Sequence, residues 1–323
     1  MLPGTAAGNL NDGLKMNYMR FPTVKTNTVP RHLFRAILRS AFEATLALCV
    51  SLPVRAEPKI AVSIYPVFDW VKNIAGDSAY VMLIIPPGAN PHTFEPVPSV
   101  VTDIQKMQLF IGVHPDLDGW IRRFFPKNRP VRFLATEDTH FGEEDQGITD
   151  NPHIWLSVRN AMQCAGDITT WLSGADRKNS AYYESNRDRY LSELEALDQS
   201  IQDLFKDVEN RQFIQWHPAW NYFAGDYNLT IIGTVEHGHG DQPSIRDMQH
   251  LIEKASSAGI KAVVMGLNQN SRSAEALVHA IKGRLIILDT IGDPEQKDRA
   301  TFLNLMRYNA VTLKKGLAET AGE

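Results

Sequence analysis

The chain has 323 residues, 43% of them hydrophobic and 22% charged, with a formal net charge of −4. That is material for one large domain or two of about 130 to 150 residues. It lacks the roughly 18 continuous apolar residues of a membrane helix and the basic footprint that a nucleic-acid partner requires.

Residues 1–56 differ from the rest. Lys15, Arg20, Lys25, Arg31, Arg35 and Arg39 precede the apolar run "AFEATLALCVSL", and Val54-Arg55-Ala56 stands before Glu57. A basic lead, a short apolar run and a small residue predict a secretory signal cleaved after Ala56, with Met16 and Met19 as alternative starts. Leu48, before Cys49, is too large for a lipid-attachment site, so a soluble periplasmic protein without an anchor is expected. Cleavage removes seven Lys/Arg and two Asp/Glu, leaving 26 basic against 35 acidic residues, a net charge of −9 that favours cations. Cys164 is then the only cysteine and lies in an apolar helical pattern, so a packed thiol is expected.

From residue 58 strand-like and helix-like runs alternate. "KIAVSIY" (59–65) reads as a strand. "PVFDWVKNIAG" reads as a helix opened by Pro66 and stopped by Gly76. "YVMLII" (80–85) is a buried strand, followed by the proline-rich "PPGANPHTFEP". "SVVTDIQKM" is helical, "QLFIGV" (108–113) extended, "LDGWIRRFF" helical and "VRFLA" extended. Residues 136–150 form a loop with six acidic residues, and "NPHIWLS" leads into a helix near 158–173.

Leu191, Leu194, Leu197, Ile201, Leu204, Phe205 and Val208 then recur at helical spacing. With no Gly or Pro over 179–209, one helix of about 30 residues and some 45 Å is expected. Alternation resumes with strands "QFIQW", "LTIIGTV", "KAVVM" and "RLIILD", and the chain closes on the helical "RATFLNLMRYNAVTLKKGL". The pattern predicts an α/β protein of two lobes with parallel sheets. Its parts are a lead over 1–56, a first lobe over 57–178, a single long linking helix over 179–209, and a second lobe over 210–323.

Polar residues fall at one edge of these sheets. His92 follows the strand 80–85, His217 follows "QFIQW" and Asp289 follows "RLIIL", at the carboxyl ends where open parallel sheets bind ligands. His153 precedes the helix leaving the first lobe and can return to the same edge. Three imidazoles and one carboxylate suit a borderline divalent cation, Zn²⁺ above all. Spacing alone does not give the metal, since the chain has neither H-E-x-x-H nor a paired-cysteine motif.

"IPPGANPHTFEPVPS", "NPHIWLS", "HPAWNYFAGDYNL", "QPSIRDMQHLIEKASSAGIKAVV" and "LDTIG" resemble, in order, the signature blocks of the metal-binding ABC-transporter substrate-binding proteins of the zinc/manganese class. The resemblance spans the whole chain after residue 56. It implies two lobes joined by a rigid helix, metal held between them by residues matching His92, His153, His217 and Asp289, and delivery of Zn²⁺ (or Mn²⁺) to a membrane permease by a monomeric carrier that is not an enzyme. Glu95, two residues before Val97 in the proline block, reads as an orienting residue.

Some residues depart from the family pattern. An aspartate is usual where this chain has Asn151, a small residue where it has Trp216, and an aromatic with a glutamate where it has "MGLNQN". A histidine as third ligand goes with zinc, and imidazole chemistry agrees. His237 and His239, in "EHGHGD", offer a secondary capture site or a solvated loop. Two other functions are set against the carrier: a zinc hydrolase using the three histidines with Asp289 as base, and a metal-buffering or adhesion protein on the same fold.

Overall fold

In the computed structural model the described residues are 57–135, 151–236, 244–267, 269 and 271–318. The signal expected over 1–56, the acidic loop 136–150, and His237 and His239 lie outside them.

The first half runs β1 (Lys59–Val62), α1 (Tyr65–Ala75), β2 (Tyr80–Leu83), α2 (Pro98–Ile104), β3 (Leu109–Gly112), α3 (Pro115–Asp118) and β4 (Val131–Phe133). Every pairing is parallel and the strand order is β2-β1-β3-β4. Then come α4 (Val158–Ala175) and the long α5 (Ser180–Phe205). The second half comprises β5 (Gln212–Gln215), α6 (Asn221–Asp226), β6 (Thr230–Thr234), α7 (Ile245–Ser257), β7 (Ala262–Gly266), α8 (Ser271–Ala280), β8 (Arg284–Leu288) and α9 (Phe302–Ala318). Its sheet is also parallel, in the order β6-β5-β7-β8, the topology of the first repeated. Two α/β lobes with parallel sheets are therefore present, as the alternation implies. In both, the carboxyl ends of the strands lead into the loops that carry the predicted ligands.

The inner strands β3 and β7 are buried at every residue, which is why they read as continuous apolar runs rather than alternating ones. Helix α5 buries Tyr183, Tyr190, Leu194, Leu197, Ile201 and Phe205, one stripe at helical spacing. With it the helix packs on α1 and α4 of the first half and on α9 of the second. It stops at Phe205 rather than near 209 because Arg211 folds back over its end. The guanidinium donates to the carbonyls of Phe205, Lys206 and Val208, and so satisfies carbonyls that lack helical partners and places a cation at the negative end of the helix dipole.

Direct contacts also tie the halves, which lie in one compact unit. The Trp70 and Phe302 rings meet edge to face at 5.1 Å, and the Tyr65 hydroxyl donates to the Ala300 carbonyl at 2.8 Å. Asp69 accepts from the Phe302 N–H at 3.1 Å, placing a carboxyl over the first turn of α9. Burial raises the pKa of that carboxyl to about 6. Cys164 is fully buried, and burial pushes its thiol well above the usual range, as befits a packing residue. No described helix is long and apolar enough to cross a membrane.

Candidate metal centre

The loop after β2 is shaped by its prolines. Ala89 N–H donates to the Pro86 carbonyl at 3.1 Å, closing a turn with Pro87 at its second position and Gly88 at its third. Gly88 has φ +85°, the conformation that a type II turn demands there and that glycine adopts without strain. Asn90 Oδ1 then accepts from the His92 N–H at 2.9 Å, so consecutive turns fix the backbone that presents His92.

His153 enters the short helix Ile154–Leu156 and is 3% exposed. Asn151 Oδ1 accepts from the His153 backbone N–H at 3.0 Å and from its ring Nδ1 at 2.7 Å. The orientation of that amide is determined by its other end, where Nδ2 donates to the Pro218 carbonyl at 2.8 Å. A carbonyl only accepts, so the amide oxygen faces His153, Nδ1 carries the proton, and Nε2 presents its lone pair. An aspartate at 151 could not donate to Pro218, which gives the departure at this position a physical reason. Tyr222 adds a further bond, donating to the Asn151 carbonyl at 2.9 Å. Hydrogen bonds thus join the segment bearing His153 to the segment bearing His217.

His217 follows β5 by two residues. Its Nδ1 faces Glu236 Oε2 at 3.3 Å, and the other carboxylate oxygen accepts from Trp216 Nε1 at 2.8 Å. The three imidazoles then converge. His153 Nε2 lies 3.1 Å from His92 Nε2 and 3.1 Å from His217 Nε2, and one nitrogen from each ring lies within 4.8 Å of the others. Bonds of about 2.05 Å to imidazole nitrogens put neighbouring ligand atoms about 3.3 Å apart around a tetrahedral zinc ion. The cluster therefore has the spacing of a metal site. It borders a cavity of about 230 Å³ reached by Thr93, Trp155, Gln269 and Thr290.

Asp289 is not in this cluster. It is buried behind β8, where Oδ1 accepts from the N–H groups of Ile291 and Gly292, each at 3.0 Å. The tight turn relies on Gly292 at φ +83°. Oδ2 pairs with Arg299 at 3.0 Å. The structure thus brings together three of the four predicted ligands and commits the fourth to a loop and a guanidinium. Glu95 corrects another expectation: it is exposed and makes no side-chain hydrogen bond among the described residues. The orienting role falls instead to Asn151 and Glu236. The sequence reading missed Glu236, although a carboxylate at the carboxyl end of a strand in the second sheet was a usable signal.

The family model described as "Zinc-uptake complex component A periplasmic" matches residues 60–316. The high-affinity zinc uptake system protein ZnuA of Bacillus subtilis (strain 168) is 25% identical over 277 residues, covering 80% of this chain and 87% of that protein. The zinc-binding lipoprotein AdcA of Streptococcus pneumoniae serotype 4 is 26% identical over 275 residues, covering 79% of this chain. The chain spans only 55% of that longer relative. Among solved structures, a crystal structure of ZnuA aligns with TM-score 0.72 and 26% identity over 81% of this chain and 100% of its own. A cadmium-bound periplasmic metal binding protein from Candidatus Liberibacter asiaticus shares the fold at TM-score 0.72 and 20% identity, over 80% of this chain and 99% of its own.

Proposed function

Because the chain belongs to the periplasmic zinc-uptake component A family, we propose that it captures Zn²⁺ between its lobes and hands it to the membrane permease of an ABC-type importer. It is a carrier, not an enzyme. The observation that supports this most is the convergence of His92, His153 and His217 on one point, with the second and third rings oriented from behind by Asn151 and Glu236. Three neutral imidazoles with no carboxylate among the converging atoms suit zinc better than manganese.

The ties across the cleft at Tyr65, Asp69, Asn151 and Trp155 argue that release proceeds by small shifts of ligand loops rather than wide lobe opening. We also propose a soluble periplasmic monomer without a lipid anchor, and a secondary capture role for His237 and His239.

Competitive titration of the chelator-stripped chain with Zn²⁺ and Mn²⁺ tests the reading. One zinc ion per chain should bind tightly and resist manganese. A second, weaker zinc ion should disappear in the His237→Ala/His239→Ala double variant. Tight manganese with weak zinc would overturn the metal assignment, and no tight metal would overturn the carrier.

A further inference from the structure

Glu236 is a carboxylate held in place on two sides. Its backbone N–H donates to the Trp216 carbonyl at 2.8 Å, and its Oε1 accepts from the buried Trp216 indole at 2.8 Å. Oε2 is thereby aimed at His217 Nδ1, 3.3 Å away. The two side chains are 16% and 12% exposed. Each carboxylate oxygen thus faces a ring nitrogen, and the carboxylate sits at the edge of the cavity. His153 has a different partner, the uncharged amide of Asn151. The outer carboxylate of the site therefore lies behind the third histidine, two residues past the strand β6 that neighbours β5, and not behind the second.

On the reading of the chain as a zinc carrier, we infer that Glu236 is a positioning residue for the metal. It fixes His217 with Nδ1 protonated and Nε2 toward the ion, raises the basicity of that ring, and supplies negative charge against the incoming cation. Trp216, large where the family pattern has a small residue, is the device that keeps the carboxylate aimed. Groups behind a metal-bound histidine act in this way by fixing its tautomer and strengthening its donor nitrogen. Partial burial makes the charge felt over a short distance.

The test is chelator-competition titration of zinc on the full chain, with the wild type, Glu236→Gln, Glu236→Asp and Trp216→Phe in parallel. Glutamine keeps the shape and an acceptor but removes the charge, so zinc affinity should fall about tenfold or more, within the 10- to 100-fold range seen for such partners. Aspartate keeps the charge but falls one methylene short of His217, and should lose affinity similarly. Trp216→Phe should show a smaller loss. Nitrogen-15 spectra of His217 should show Nδ1 protonated in the zinc-free wild type and a mixture of tautomers in Glu236→Asp, a change that loss of packing alone would not produce. The inference fails if the wild type binds zinc tightly while Glu236→Gln and Glu236→Asp both bind within twofold of it. It also fails if the His217 tautomer is unchanged in Glu236→Asp. If the wild type itself binds no zinc tightly, the carrier reading falls, and this inference with it.

Discussion

Replacing His153 by alanine should weaken zinc binding by some hundreds-fold, more than the same change at His92 or His217. Only His153 has its Nε2 within 3.1 Å of the Nε2 atoms of both other rings. It is also the most buried of the three and is oriented by Asn151. Tight four-ligand zinc sites are worth about 10 to 16 kcal/mol, so one ligand carries roughly 3 to 4 kcal/mol, a factor of a few hundred. The substitution opens space in a polar site rather than in the hydrophobic core, so the zinc-free variant should melt within a few degrees of the wild type. Chelator competition and a thermal scan of the same sample check both halves. A loss below tenfold would mean that His153 is not a ligand.

Asp289→Ala should show the opposite profile, with a large loss of stability and a modest loss of affinity. The carboxylate and Arg299 are 8% and 16% exposed as side chains, and removing one partner of a buried pair typically costs about 3 to 5 kcal/mol by leaving the other uncompensated. Two loop N–H groups, of Ile291 and Gly292, lose their acceptor as well. A drop in melting temperature of roughly 6 °C or more is expected for a protein of this size. Zinc affinity should stay within tenfold of the wild type. Arg299→Met in the same background removes the stranded guanidinium and should recover part of the stability. If Asp289→Ala instead lost zinc as severely as a histidine variant, the carboxylate would be a ligand during capture.

Much of this was legible in the sequence because it rests on local rules. Alternating apolar runs and helix signals gave both sheets, and Pro66 and Gly76 bracketed α1 to within a residue. The Pro87-Gly88 pair carried the turn that presents His92. Other features depend on strand order or on long-range partners. Glu236 matters because β6 lies beside β5, and no periodicity announces a neighbour. Arg299 lies ten residues beyond Asp289 in a segment without a regular element, so nothing in the chain flagged its claim on that carboxylate. Helix α5 ends early because of Arg211, a partner beyond the helix. The role expected for Glu95 went to residues that sequence distance hides: Asn151 is two positions from His153, but its amide is oriented by Pro218, 67 residues away.

X-ray absorption at the zinc edge, on chain loaded with one equivalent of zinc, tests the central claim most directly. Three imidazole nitrogens at about 2.0 Å are expected, with a fourth light-atom ligand and the multiple-scattering pattern of histidine rings. One imidazole should be lost in each of the His92→Ala, His153→Ala and His217→Ala variants. A zinc shell with fewer than three imidazoles, or one unchanged by those substitutions, would contradict an interlobe three-histidine site.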